Sequence, residues 1–159
     1  MVQTTFQGVP GILRPFKEYI EKRALPEGSE IVFYGVPGTC TPFVELLCFA
    51  IRTLPVTFVF VPYTKEEKAH TLVMKPDVGF QAGELYQPKN PAVLVVMGGL
   101  AMPNMPVDAD SVVSVMTRWK GAASIGVCFM HMFAKAGWLD KIRFDLLIDA
   151  DISVEVTSE

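Results

Sequence analysis

Three thiols and two imidazoles carry most of the chemistry open to this chain: Cys40, Cys48 and Cys128, with His70 and His131. A thiol of ordinary pKa ~8.5 is only about 3% ionised at neutral pH, so a working nucleophile needs a helix N-terminus or a cation nearby. Cys40 lies just outside a predicted helix start, and Cys128 shares a strand-to-helix junction with His131. Cys48 sits on an almost wholly apolar helix whose single acid is Glu45, and it reads as core. No CxxC occurs and the histidines are far apart, which argues against a structural zinc site, so no metal is expected. The unpaired thiols read as reduced and intracellular. His70 beside Lys65 and Lys68, and the acidic trio Asp149, Asp151 and Glu155, read as solvated groups.

Short β-rich runs alternate with helical patterns and predict the elements that must position these groups. Runs 30–35, 56–62, 92–97, 122–128 and 142–148 are rich in apolar and β-branched residues, as buried strands should be. Helix 42–53 is predicted with Thr41 as N-cap and Pro42 at its first position. Helix 108–120 begins at Asp108, carries Val112, Val115, Met116 and Trp119 at helical spacing, and precedes Gly121. A short helix over 130–136 is closed by Gly137. The crossover 63–91 reads as a charged turn followed by a ribbon bent at Pro76-Asp77. Segments 6–20 and 33–47 share F-x-G-V-P-G-x-x-x-P-F-x-E. That pattern fits either convergent Pro-Gly turns or a duplicated strand–turn–helix unit.

This order predicts one α/β domain over 1–159: a three-layer αβα sandwich with a mainly parallel sheet. Half of the residues are hydrophobic and 19% are charged, which suits a sheet covered on both faces. A net charge of −3 leaves no basic footprint for nucleic acid. The most apolar region, 42–62, is broken by Glu45, Arg52 and Pro55, so no membrane span is expected and a cytoplasmic location is. Helix 42–53 has too many apolar side chains for one buried face, which predicts a homodimer.

In open α/β sheets, ligands bind beyond the carboxyl ends of the strands, where strand order reverses. With 30–35 between 56–62 and 92–97, that place is formed by loops 35–41 and 98–106 and the junction 128–131. A small-molecule ligand is therefore expected at Gly35, Gly38, Thr39, Cys40, Thr41, Gly98 and Gly99, where bare backbone N–H groups can approach it. There is no GxGxxG and no GxxxxGK[ST], so no nucleotide cofactor is implied.

AVLVVMGGLAMP, the helix to Gly121, and AASIGVCFMHMFAKAGWL together resemble the PfpI-type intracellular proteases. That family belongs to the class I glutamine amidotransferase-like superfamily, and the likeness spans about residues 30–142. The resemblance implies a flavodoxin-like sheet, Cys128 as nucleophile at a sharp strand-to-helix turn, Glu45 facing it, and Gly98 and Gly99 lining an oxyanion site. The chain departs from the family's elbow by carrying Phe129 and Met130 after the cysteine. It also lacks the downstream His–Glu pair, which leaves His131 as the nearby base. The whole chain is also similar to a group of uncharacterised archaeal proteins, which supplies no mechanism.

Two functions follow as expectations. One is a cysteine-dependent hydrolase, lyase or amidase acting on a small carbonyl or amide compound through Cys128, Glu45 and His131. The other is a catalytically degenerate protein that keeps the fold for ligand binding or for oligomeric interaction.

Overall fold

Every residue of β1 (Glu30–Gly35) is buried, as a strand covered on both faces must be. The computed structural model describes residues 2–159 and places β1 inside a seven-stranded sheet. The other strands are β2 (Thr57–Pro62), β3 (His70–Lys75), β4 (Gly79–Leu85), β5 (Pro91–Met97), β6 (Ala123–Phe129) and β7 (Leu146–Ala150). The helices are α1 (Gly8–Lys22), α2 (Thr41–Ala50), α3 (Ala109–Arg118) and α4 (Met132–Lys135). Strand order is β4-β3-β2-β1-β5-β6-β7, with β1 parallel to both β2 and β5. β6 and β7 continue the parallel run, whereas β3 and β4 are antiparallel.

Side-chain alternation assigns the helices to the two faces. Phe33 meets Phe16 of α1, with ring centroids 6.3 Å apart, and Phe129 meets Phe43 of α2 at 4.4 Å. On the other face the Tyr34 hydroxyl donates to Glu66 Oε1 at 2.8 Å, which also accepts from Trp119 Nε1, just after α3, at 3.0 Å. Phe133 of α4 lies on this face too, 5.2 Å from Phe144. Right-handed crossovers leaving β1 and β5 in opposite directions put α2 and α3 on opposite sides, giving three layers.

The crossover from β2 to β5 is the ribbon that the sequence predicts: a charged turn leads into the hairpin β3–β4, bent at Asp77, whose φ of 61° suits a tight turn. This ribbon widens the sheet. The last strand begins four residues later than its apolar run predicts, because Phe144 turns inward over Gly126; a Cβ there would stand 2.7 Å from the Phe144 ring. Asp145 then accepts from Ser124 N at 2.8 Å and fixes the strand's start. Segments 6–20 and 33–47 are not a structural repeat. The second is strand, turn and helix, with Gly38 at a φ of 81°. In the first, the Pro10-Gly11 pair lies inside α1, where proline is tolerated because first-turn N–H groups have no helical partner.

Among the described residues, Glu30 is the one buried carboxylate, at 4% exposure. It accepts from the Tyr86 hydroxyl at 2.5 Å and from the backbone N–H of Lys89 and Asn90 at 2.9 and 2.6 Å. The chain returning from the hairpin is thereby tied to the start of β1. No helix among the described residues is long and apolar enough to cross a membrane.

Candidate functional site

The loops at the carboxyl ends of β1, β5 and β6 do meet, but they meet as packed structure. A Cβ on Gly98 would collide with the Cβ of Cys128, and a Cβ on Gly99 would collide with the Cys40 sulfur. A Cβ on Gly35 would stand 2.9 Å from Cys40 Cβ and 3.3 Å from both Met97 and Phe60. These three glycines let the two cysteines pack against the strand ends, with the Cys40 sulfur against Gly99 and the Cys128 Cβ against Gly98. Cys40 is 3% exposed, and burial pushes its thiol up, against weaker backbone hydrogen bonding from Val36 and Gly99.

Thr41 is not the cap of α2. The capping position is Cys40, and Thr41 already lies in the helix with its hydroxyl accepting from Gly38 N at 3.1 Å. Thr39 is exposed on the turn. Pro42 in the first turn still favours the start, because its missing N–H costs no helical bond there.

Cys128 differs most from the expected nucleophile. It lies inside β6, paired with Asp149 of β7, and is 1% exposed. The sharp turn comes two residues later, where Met130 and His131 take successive left-handed φ angles of 54° and 61°. Met130 N donating to Ala150 O at 2.8 Å and His131 N donating to Asp149 Oδ1 at 3.0 Å hold that turn. The Cys128 thiol is pushed up from 9.0 to about 11, chiefly by burial. The Asp149 carboxylate adds to the rise, and backbone hydrogen bonding from Phe133 and Met132 opposes it. A helix of four residues adds too little dipole to reverse that balance.

The other two expected catalytic groups are not aimed at the sulfur. His131 Nδ1 lies 2.8 Å from Asp149 Oδ2, so the imidazole is oriented by the carboxylate rather than by the thiol. Glu45 belongs to α2, across the sheet from Cys128, and is not among the groups acting on that thiol; burial raises the Cys48 thiol, and the Glu45 charge adds to that rise. The arrangement is a carboxylate between a thiol and an imidazole, whereas a working triad needs the imidazole in the middle. Among the described residues, no group of three or more His, Cys, Asp or Glu is placed to hold a metal ion.

Asp149 is the residue that sequence reasoning missed. The predicted strand 142–148 stops one residue short of it, and in sequence it reads as a solvated strand end. Strand register alone, with β7 beginning at Leu146, would have set it beside Cys128. Asp151 and Glu155 are exposed.

Residues 7–153 match a family described as an uncharacterized protein conserved in archaea (DUF2124). An uncharacterised protein of Methanothermobacter thermautotrophicus is 38% identical over 149 residues, covering 92% of each chain. One from Methanocaldococcus jannaschii is 34% identical over 149 residues, covering 94% of this chain and 89% of its own. A crystal structure of a protein of unknown function from Methanothermobacter thermautotrophicus is similar throughout. Its TM-score is 0.87 at 35% identity, covering 100% of this chain and 98% of that one.

Proposed function

The chain belongs to this archaeal family, and we propose that it is a non-catalytic binding protein built on a doubly wound sheet, with Cys128 a structural thiol. The burial of Cys128 inside β6, hydrogen-bonded toward Asp149 and not toward an imidazole, carries this reading. The parallel strands lie in the order second, first, third, fourth, fifth, which supports a flavodoxin-like reading of the sheet and its distant likeness to the PfpI fold. The amidase-type reading loses support at each chemical step, since nucleophile, base and acid do not face one another. Iodoacetamide labelling followed by mass spectrometry tests this. Cys128 should stay unlabelled in the folded protein below about pH 8.5 and react after unfolding. Fast labelling near pH 7 would restore the nucleophile.

A second feature favours self-association through a small two-fold interface. Pro42, Leu46 and Phe49 are exposed along one stripe of α2, and Val9 of α1 is exposed as well. Arg52 lies over the Phe49 ring at 4.1 Å, so the stripe carries one cation at its end beside otherwise apolar side chains. Two such faces are complementary to each other. Sedimentation velocity should give a dimer for the wild type and a monomer for Leu46→Glu; a monomeric wild type at micromolar concentration would end this reading.

A further inference from the structure

On the α3 face the sheet is not fully covered. After β6 the chain forms only the four-residue α4 and one turn of 3-10 helix at Trp138–Asp140 before returning at 141–145. Between that return and α3 lies a cleft of about 320 Å³, lined below by Leu94, Ala122 and Ser124. Val113 and Met116 form its half-buried apolar wall. Three cations stand around it, Lys120, Lys141 and Arg143, against a single acid, Asp145.

That acid is already engaged, accepting from Ser124 N and Oγ at 2.8 and 3.1 Å. Lys141 is engaged as well, donating to both carboxylate oxygens of Asp110 at 3.0 and 3.1 Å. Among the described residues, Lys120 and Arg143 have no salt-bridge partner. A chain of net charge −3 has nonetheless placed unpaired cations beside an apolar recess. A guanidinium fork suits a carboxylate or a phosphate, the two head groups that it can grip through paired N–H donors. The volume lies at the small end of ligand sites, large enough for a single ring or a short acyl chain.

We propose that this cleft, where Arg143 and Lys120 face the Leu94–Val113–Met116 recess, binds a small organic anion. The carboxylate or phosphate head pairs with the two cations, and the apolar body packs on the recess. The proposal does not depend on the state of Cys128, so the labelling experiment and this one fail separately.

The test is an amide ¹H–¹⁵N NMR titration of the full chain with phenyl phosphate, benzoate, inorganic phosphate and benzyl alcohol. Saturable shifts centred on Met116, Lys120, Ala122 and Ser124 are expected with at least one of the two aryl anions. The tighter of those two assigns the head group. Arg143→Gln should weaken binding about tenfold, and adding Lys120→Gln should remove it. Neither side chain is buried, so both variants should fold, and an unchanged spectrum outside the cleft verifies this. No saturable shift with either aryl anion overturns the proposal. So does binding of benzyl alcohol or inorganic phosphate as tight as that of the aryl anions, or binding indifferent to both substitutions.

Discussion

Asp149 Oδ2 lies 2.8 Å from His131 Nδ1, while Oδ1 of the same carboxylate accepts from the His131 backbone N–H at 3.0 Å. One side chain therefore fixes both the imidazole and the left-handed residue that carries it. The same carboxylate opposes ionisation of Cys128. Asp149→Asn should lower the pH midpoint for alkylation of Cys128, yet leave it above 9, because burial is the larger cause of the rise. A midpoint unchanged in Asp149→Asn would separate the acid from the thiol.

Gly99 and Cys40 should behave as one packing unit. Gly99→Ala adds a methyl where the sulfur already lies and should cost about 1–3 kcal/mol, read from urea unfolding. Cys40→Ala removes that sulfur, so the double variant should lose much less than the sum of the two singles. Simple additivity would return the glycine to a ligand-binding role.

Alkaline pH should weaken the fold over a broad range, because burial also raises Cys40, Cys48 and Tyr34, and two of the contributions can be isolated by substitution. The Cys128 thiol is raised from 9.0 to about 11, so its contribution is complete below pH 9 and lost as pH rises toward 11. Tyr86 is raised from 10.0 to about 12, chiefly by its hydrogen bond to Glu30, so its contribution is lost between pH 10 and 12. Urea midpoints measured across this range should fall less steeply in Cys128→Ser over the first window and in Tyr86→Phe over the second. Parallel slopes in wild type and variants would contradict the assignment.

Glu30 supports a join between distant parts of the chain. Glu30→Ala leaves the N–H groups of Lys89 and Asn90 without their acceptor and should cost roughly 2–3 kcal/mol of stability. Hydrogen exchange should quicken first at Lys89 and Asn90. A loss confined to α1 would contradict this.

The sheet was legible because its signals are local. The apolar runs at 31–35 and 92–97, bounded by turn residues, read as doubly covered strands, and Asp108 announces α3 by accepting from Ser111 N at 2.8 Å. What could not be read was tertiary. Nothing local separates the apolar residues of 142–145 from those of β7; only Phe144 filling the notch at Gly126 does so. Gly98 and Gly99 signal close backbone approach equally well for a ligand and for a neighbouring sulfur, and only the fold decides between them. The cations at 120, 141 and 143 are scattered in sequence and gather only because α4 is short.

Phe144 over Gly126 also constrains how this chain can vary over descent. The two positions are a single inherited character: any side chain gained at 126 requires the ring at 144 to shrink in the same lineage. Change at either position alone displaces the return segment and, with it, the start of β7. Across homologues the pair should therefore covary, as glycine with an aromatic residue or as a small side chain with a small partner.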